Sequence, residues 1–160
     1  MAEHVSKYEL LQRLHKGCEQ FRHLIAPLTH AELGTPGVLG AWSIKDIVAH
    51  FIAHEQFALG ELAAARNGEA FEYPVEGTDA INAAATAQHS GTPAEQVLLR
   101  WEQSFRQVVA LAEALAEADF APDSAVVQRL GDTIDGALAN NTYEHYAEHT
   151  PAVREWIARR

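Results

Sequence analysis

The chain has one cysteine, Cys18, and so closes no internal disulfide. A reducing setting, the cytoplasm, is expected, and Cys18 reads as a helix-packing residue rather than a reactive thiol. Basic residues are also scarce: 12 Lys and Arg stand against 22 Asp and Glu, a net charge of −10. A surface of that sign repels phosphate backbones, so no nucleic acid is expected as a partner. No apolar run approaches the length that spans a bilayer, and no membrane partner is expected either. The opening stretch, MAEHVSKYELL, lacks a basic segment followed by an apolar one, so no signal peptide is read there.

Missing motifs exclude particular chemistries. Without Glu-x-x-His the ferritin-like di-iron arrangement lacks its ligands. Without His-Glu-x-x-His there is no metalloprotease helix, and Gly-rich phosphate loops and a Gly-x-Ser-x-Gly elbow are absent too. Internal repeats, low-complexity blocks and linkers are also missing, so residues 1–160 are expected to form one domain with a sizeable core.

What is present is helical periodicity. Residues 6–26 place Leu10, Leu11, Leu14, Cys18, Phe21, Leu24 and Ile25 on one face, and the segment from Pro27 to about Gly40 breaks that pattern. A second helix starts at Ser43, with Asp46 in the capping-box position, and stops at Asn67-Gly68. Residues 69–78 read as loop, and a short helix follows through 79–89. The third helix opens at Thr92 as N-cap, with Pro93 in its first turn and Glu95 completing the box, and runs to about residue 118. A turn of strand is expected around Val126 and Val127. The fourth helix covers about 132–149, where Pro151 kinks it or restarts a terminal turn. Four major helices predict an all-α four-helix bundle, a fold that seats metals and cofactors between facing helices.

Histidine is the residue that raises a chemical question. His145 and His149 lie four apart in TYEHYAEHTP, and His50 and His54 repeat that spacing a hundred residues upstream. Residues i and i+4 project from one helix face, so each pair offers two nitrogens to one point. His50 sits in the apolar stripe of Ile44, Ile47, Val48, Phe51 and Ile52 and is expected to face inward, a third ligand for the His145–His149 pair. Three neutral imidazoles with an open position suit Zn²⁺, Ni²⁺ or Fe²⁺. A merely solvated, histidine-rich face accounts for the same spacing, and both readings stay open at this level. His4, His15, His23, His30 and His89 read as surface or boundary residues.

Two stretches carry a resemblance. GAWSIKDIVAHFIAHE, residues 40–55, resembles the Trp-Ser-x-Lys-Asp-x-x-x-His opening of the second helix in the DinB-like superfamily. HYAEH, residues 145–149, resembles the His-x-x-x-His of that superfamily's last helix. The SKYELL start and HYAEHTPAVREWI, with its lone Trp near the end, look closest to the ClbS/DfsB branch. The resemblance implies up-down-down-up connectivity and one divalent metal held by His50, His145 and His149. It also implies kinship with transferases and isomerases that use a low-molecular-weight thiol, mycothiol or bacillithiol, and with proteins of self-protection against reactive metabolites. His54 departs from the pattern, standing where an aromatic is expected. It reads as a fourth metal ligand, a proton shuttle or a polar residue at a pocket rim.

Glu148, Glu144, Asp46 and Glu55 are the carboxylates nearest these histidines in sequence, and Glu148 and Asp46 are the candidate acid–base residues. Trp42 reads either as an N-terminal anchor of its helix or as a ligand contact. Tyr143, Tyr146, Trp101 and Phe105 read either as pocket lining or as core. Arg100 and Arg106 read as exposed residues or as contacts for an acidic substrate group. Two functions follow. One is a metal-dependent enzyme acting on a small-molecule substrate by hydrolysis or thiol-dependent transfer. The other is a non-catalytic bundle that binds a small molecule or mediates dimerisation, with structural histidines. A homodimer paired through a helix face fits either.

Overall fold

The structure, a computed structural model, describes residues 4–160, so the first three residues of MAEHVSKYELL lie outside it. All its regular elements are helices, apart from one isolated bridge between Leu39 and Trp42. The four long ones are α1 (Lys7–Ile25), α3 (Ile44–Asn67), α5 (Ala94–Ala114) and α8 (Tyr143–Arg159). Four shorter ones join them: α2 (His30–Leu33), α4 (Gly77–His89), α6 (Ala125–Leu130) and α7 (Ile134–Ala139), with a 3-10 turn at Glu117–Phe120. No helix among the described residues is long and apolar enough to cross a membrane.

Helix starts follow side-chain capping. Ser6 and Glu9 form a reciprocal box at α1, as do Thr29 and Glu32 at α2 and Ser43 and Asp46 at α3. α3 ends at Gly68, whose left-handed φ of 74° suits a residue without Cβ. α1 buries Leu10, Leu14, Cys18, Phe21 and Ile25, the single-face spacing of a helix on the outside of a core. α3 differs. It buries Ile44, Ile47, Val48, Ala49, His50 and Phe51 almost in succession, because α4, α5, α6, α7 and α8 all pack against it. It is the central helix, with α5 its most extensive partner, while α8 packs chiefly on α1.

Several local expectations are corrected. The break after Pro27 contains α2, whose Thr-His-Ala-Glu box and buried Leu33 are enough for one turn. Thr92 does not cap α5. Its backbone N–H turns back to the His89 carbonyl at 3.0 Å, and Pro93 takes the capping position without a side-chain bond. α5 ends at Ala114 rather than near 118, and Leu115 is extended and buried. The expected strand at Val126 and Val127 is α6, started by the Ser124 hydroxyl and anchored by buried Val126. The expected helix over 132–149 is two helices, parted at Asn140–Thr142, where the Thr142 hydroxyl donates to the Leu138 carbonyl at 2.6 Å.

Pro151 does not end α8, which continues through it to Arg159. An interior proline costs about 3 kcal/mol through its missing N–H and ring clash. Val153, fully buried, and Trp156 and Ile157, packed on the core, lie beyond it and offset that cost.

Candidate metal centre

α3 contributes His50 and α8 contributes His145 and His149. The register of α8 is set at its first turn. Tyr143 lies against Gly17 of α1 so closely that a Cβ there would stand 2.3 Å from the Tyr143 Cβ. The Tyr143 hydroxyl donates to Asp135 at 2.6 Å, and Arg13 of α1 pairs with the same carboxylate at 3.1 Å. α1, α7 and α8 are thus tied together two residues before His145.

The Nε2 atoms converge. His145 Nε2 lies 2.7 Å from His50 Nε2 and 3.2 Å from His149 Nε2. One ring nitrogen from each of the three lies within 4.8 Å of the other two. Burial, with His54 and His149 nearby, lowers the His50 imidazolium to about 4, and burial with His50 beside it lowers His145 to about 2. Burial lowers His149 as well, against the opposing charge of Glu148. All three imidazoles are therefore neutral at pH 7.

Their own protons cannot satisfy this cluster. His50 Nδ1 lies 2.8 Å from Asn82 Oδ1 and donates to it, which leaves His50 Nε2 a bare acceptor. His145 can donate from Nε2 to His50, and that nitrogen then has no lone pair for His149. His145 Nδ1 is buried with no partner among the described residues. Nitrogens bound at about 2.0–2.1 Å to one divalent ion stand roughly 3 Å apart, close to the separations here. Three inward lone pairs, neutral rings and one ring oriented by an amide oxygen fit such an ion.

His54 lies beside this group and is directed elsewhere. Its ring is 4.4 Å from that of His50 and 4.6 Å from that of His145, centroid to centroid. Its Nε2 meets Asn82 Oδ1 and its Nδ1 meets Asn141 Oδ1, each at 3.2 Å. Asn82 of α4 and Asn141, before α8, were not legible as site residues. Asn82 is one of several polar side chains in the alanine-rich run INAAATAQH, and nothing in its spacing marks it out.

The carboxylates divide by location. Asp46 closes the α3 capping box, bonding the Ser43 N–H at 2.9 Å and the Ser43 hydroxyl at 3.0 Å, so no contact joins it to the histidines. Glu144 and Glu148 are exposed on α8. Glu55 is wholly buried between α3, α5 and α8, where its Oε2 accepts from Tyr146 at 2.5 Å and Trp101 Nε1 at 2.8 Å. Its Oε1 is buried with no partner among the described residues. Burial raises this carboxyl to about 7, although both donors pull the other way.

Other expectations resolve by burial. Trp42 is half-buried, its ring 5.2 Å from that of His50. Trp101, Tyr146 and Phe105 are core residues. Arg106 pairs with Glu102 one turn away, an exposed contact of little energetic weight. His89 is not a surface residue but buried, its Nδ1 bonded to the Ala85 carbonyl at 3.0 Å. Burial pushes the Cys18 thiol up to about 12, which makes it inert at neutral pH.

Residues 14–157 match the mycothiol maleylpyruvate isomerase N-terminal domain family. The chain belongs to that family. No curated protein matches it in sequence. Among solved structures it is similar to DfsB, described as a sibling lethal factor precursor, with a TM-score of 0.83, 14% identity and 98% of each chain covered. A Streptococcus pneumoniae protein aligns with a TM-score of 0.81 at 11% identity, over 99% of this chain and 93% of its own. The colibactin self-resistance protein ClbS, solved with double-stranded DNA, aligns with a TM-score of 0.77 at 17% identity, over 97% of this chain and 96% of its own. The fold is DinB-like and of the ClbS/DfsB type, as the motifs at 40–55 and 145–149 implied.

The ClbS complex corrects one expectation. Nucleic-acid binding occurs within this fold, so the exclusion of nucleic acid from the net charge of −10 does not stand. Net charge is a sum over the whole surface. Binding responds to the potential of one face and to base and sugar contacts that the sum does not register.

Proposed function

We propose that this protein is a divalent-metal-dependent enzyme that acts on a small reactive molecule by hydrolysis or thiol-dependent transfer, in a self-protective or detoxifying role. The observation that carries this reading is the convergence of His50, His145 and His149 nitrogens within 4.8 Å, all from neutral, inward-facing rings. These three would hold the ion. When bound, Zn²⁺, Ni²⁺ or Fe²⁺ supplies Lewis acidity to water or a thiol at an open coordination position.

The remaining roles belong to the chain's own groups. Asn82 orients His50 by accepting its Nδ1 proton. Glu148, exposed one residue before His149, is the carboxylate at the rim of the site and our candidate general base. Asp46 has no such role in this reading, because its carboxylate caps α3. With Cys18 buried and protonated, a reacting thiol must come from a separate low-molecular-weight molecule. The family's mycothiol association supports that route, and the self-resistance role of ClbS supports the detoxifying one.

Elemental mass spectrometry on protein purified without a His tag tests the reading. About one divalent ion per chain is expected, and its loss in His145→Ala. Turnover is then sought with thiol co-substrates. Metal-free protein that also fails to take up added Zn²⁺ or Ni²⁺ would overturn the enzyme and favour a bundle that binds a small molecule or a second copy.

A further inference from the structure

His54 also lines a cavity of about 290 Å³, walled by Phe57, Tyr73, Pro74 and Ile81 and completed at its polar end by His54 and Asn141. That volume is near the lower end for small-molecule sites and suits one ring with short substituents. The wall is built rather than incidental. Phe71 stands edge-on to Phe57 at 5.3 Å and to Tyr73 at 4.9 Å, so the loop after α3 is held to that helix by aromatic contacts. Gly60 makes room for this: a Cβ there would come within 3.0 Å of the Phe71 ring.

Acidic residues dominate the chain segment beside the cavity. Glu69, Glu72, Glu76 and Asp79 punctuate the segment that forms one wall, with no lysine or arginine between residues 67 and 99. No lysine or arginine lines the cavity itself. With the Glu61 carboxylate acting on the Tyr73 hydroxyl at the wall and no cation in the lining, an anionic ligand is disfavoured and a neutral or cationic one admitted.

We propose that this cavity is a recognition subsite for a flat apolar group, such as an aromatic ring, on a neutral or cationic molecule. Atoms adjoining that group would lie at His54 and Asn141, next to the three converging histidines. The subsite's role in catalysis rests on the reading given under Proposed function, but its occupancy can be measured separately.

The test is a methyl- and aromatic-detected NMR titration of the full chain with benzylamine, benzyl alcohol and benzoate, with metal content followed in parallel. Saturable shifts at Ile81, Phe57 and Tyr73 are expected, with benzylamine and benzyl alcohol at least about fivefold tighter than benzoate. Ile81→Trp and, independently, Ala53→Leu fill the cavity and should weaken benzylamine by about tenfold. Two cavity-filling variants guard against the misfolding of one. His145→Ala should bind benzylamine as the parent does. Benzylamine binding by a parent protein that neither carries nor takes up Zn²⁺ or Ni²⁺ supports the subsite while overturning the enzyme reading. Equal binding of benzoate, shifts confined to other parts of the surface, or indifference to both folded filling variants overturns the subsite.

Discussion

Asn82 and His50 are coupled through a 2.8 Å hydrogen bond from the His50 Nδ1 to the Asn82 Oδ1, and that bond decides which His50 nitrogen faces His145. The asparagine lies on α4, a helix whose principal packing is against α3. Asn82→Leu removes the acceptor and frees the imidazole to rotate or change tautomer. Loss of a partner of this kind lowers metal affinity by about 10–100-fold. Competition against a chromophoric chelator should show that drop for Zn²⁺ while helicity is retained. Unchanged affinity would mean that α3 packing alone orients the ring.

His54 and His50 are one turn apart and chemically unlike. His54 directs both nitrogens at asparagine oxygens, whereas His50 directs Nε2 at His145 and His149. His50→Ala should therefore weaken Zn²⁺ binding by more than about 100-fold, beyond the loss of an outer hydrogen bond. His54→Ala should weaken it by less than about tenfold, acting only through Asn82. Equal losses in the two variants would make His54 a ligand.

The triad was legible because its two parts obey a rule of helix geometry. The i, i+4 pair on α8 and the apolar stripe around His50 each predict a direction, and both directions are inward. The helix interior of α3 was legible for the same reason, as was its Ser43 cap. Asn82 and Asn141 were not, since each is one of several polar residues in its segment and carries no periodic signal of its own. Pro151 misled because the local cost of an interior proline is visible in sequence, while the packing of Val153, Trp156 and Ile157 is tertiary. Glu55 was visible only as a neighbour of His54. Its burial against Tyr146 and Trp101 depends on three helices meeting.

Gly17 should be as sensitive as a ligand, though it touches none. Gly17→Ala places a methyl 2.3 Å from the Tyr143 Cβ and 3.0 Å from its Cα, so α8 must move away from α1. Overpacking of this kind costs about 1–3 kcal/mol. The melting temperature should fall, and Zn²⁺ affinity should fall with it, because His145 moves with Tyr143. A variant with a lower melting temperature and parental Zn²⁺ affinity would show that α8 keeps its register by other contacts.

Glu55 and the histidines should impose opposite pH dependences on the metal-free protein. The Glu55 carboxyl titrates near 4.5 when unfolded and about 7 when folded. Between those values the folded state holds a proton the unfolded state has released, so stability falls as pH rises across that window and levels off above it. The full effect is roughly 3 kcal/mol from the shift alone. His50 and His145 work the other way: their folded values of about 4 and about 2 lie below 6.5, so stability rises with pH through those intervals. Glu55 offsets part of that rise from about pH 4.5 to 6.5. Glu55→Gln keeps an acceptor for Tyr146 and Trp101 but removes the titration. Denaturant unfolding of this variant without metal should show stability rising between pH 5 and 6.5 more steeply than in the parent, and no decline from pH 6.5 to 7.5. A parental profile in Glu55→Gln would mean that the carboxyl does not hold its proton in the folded core.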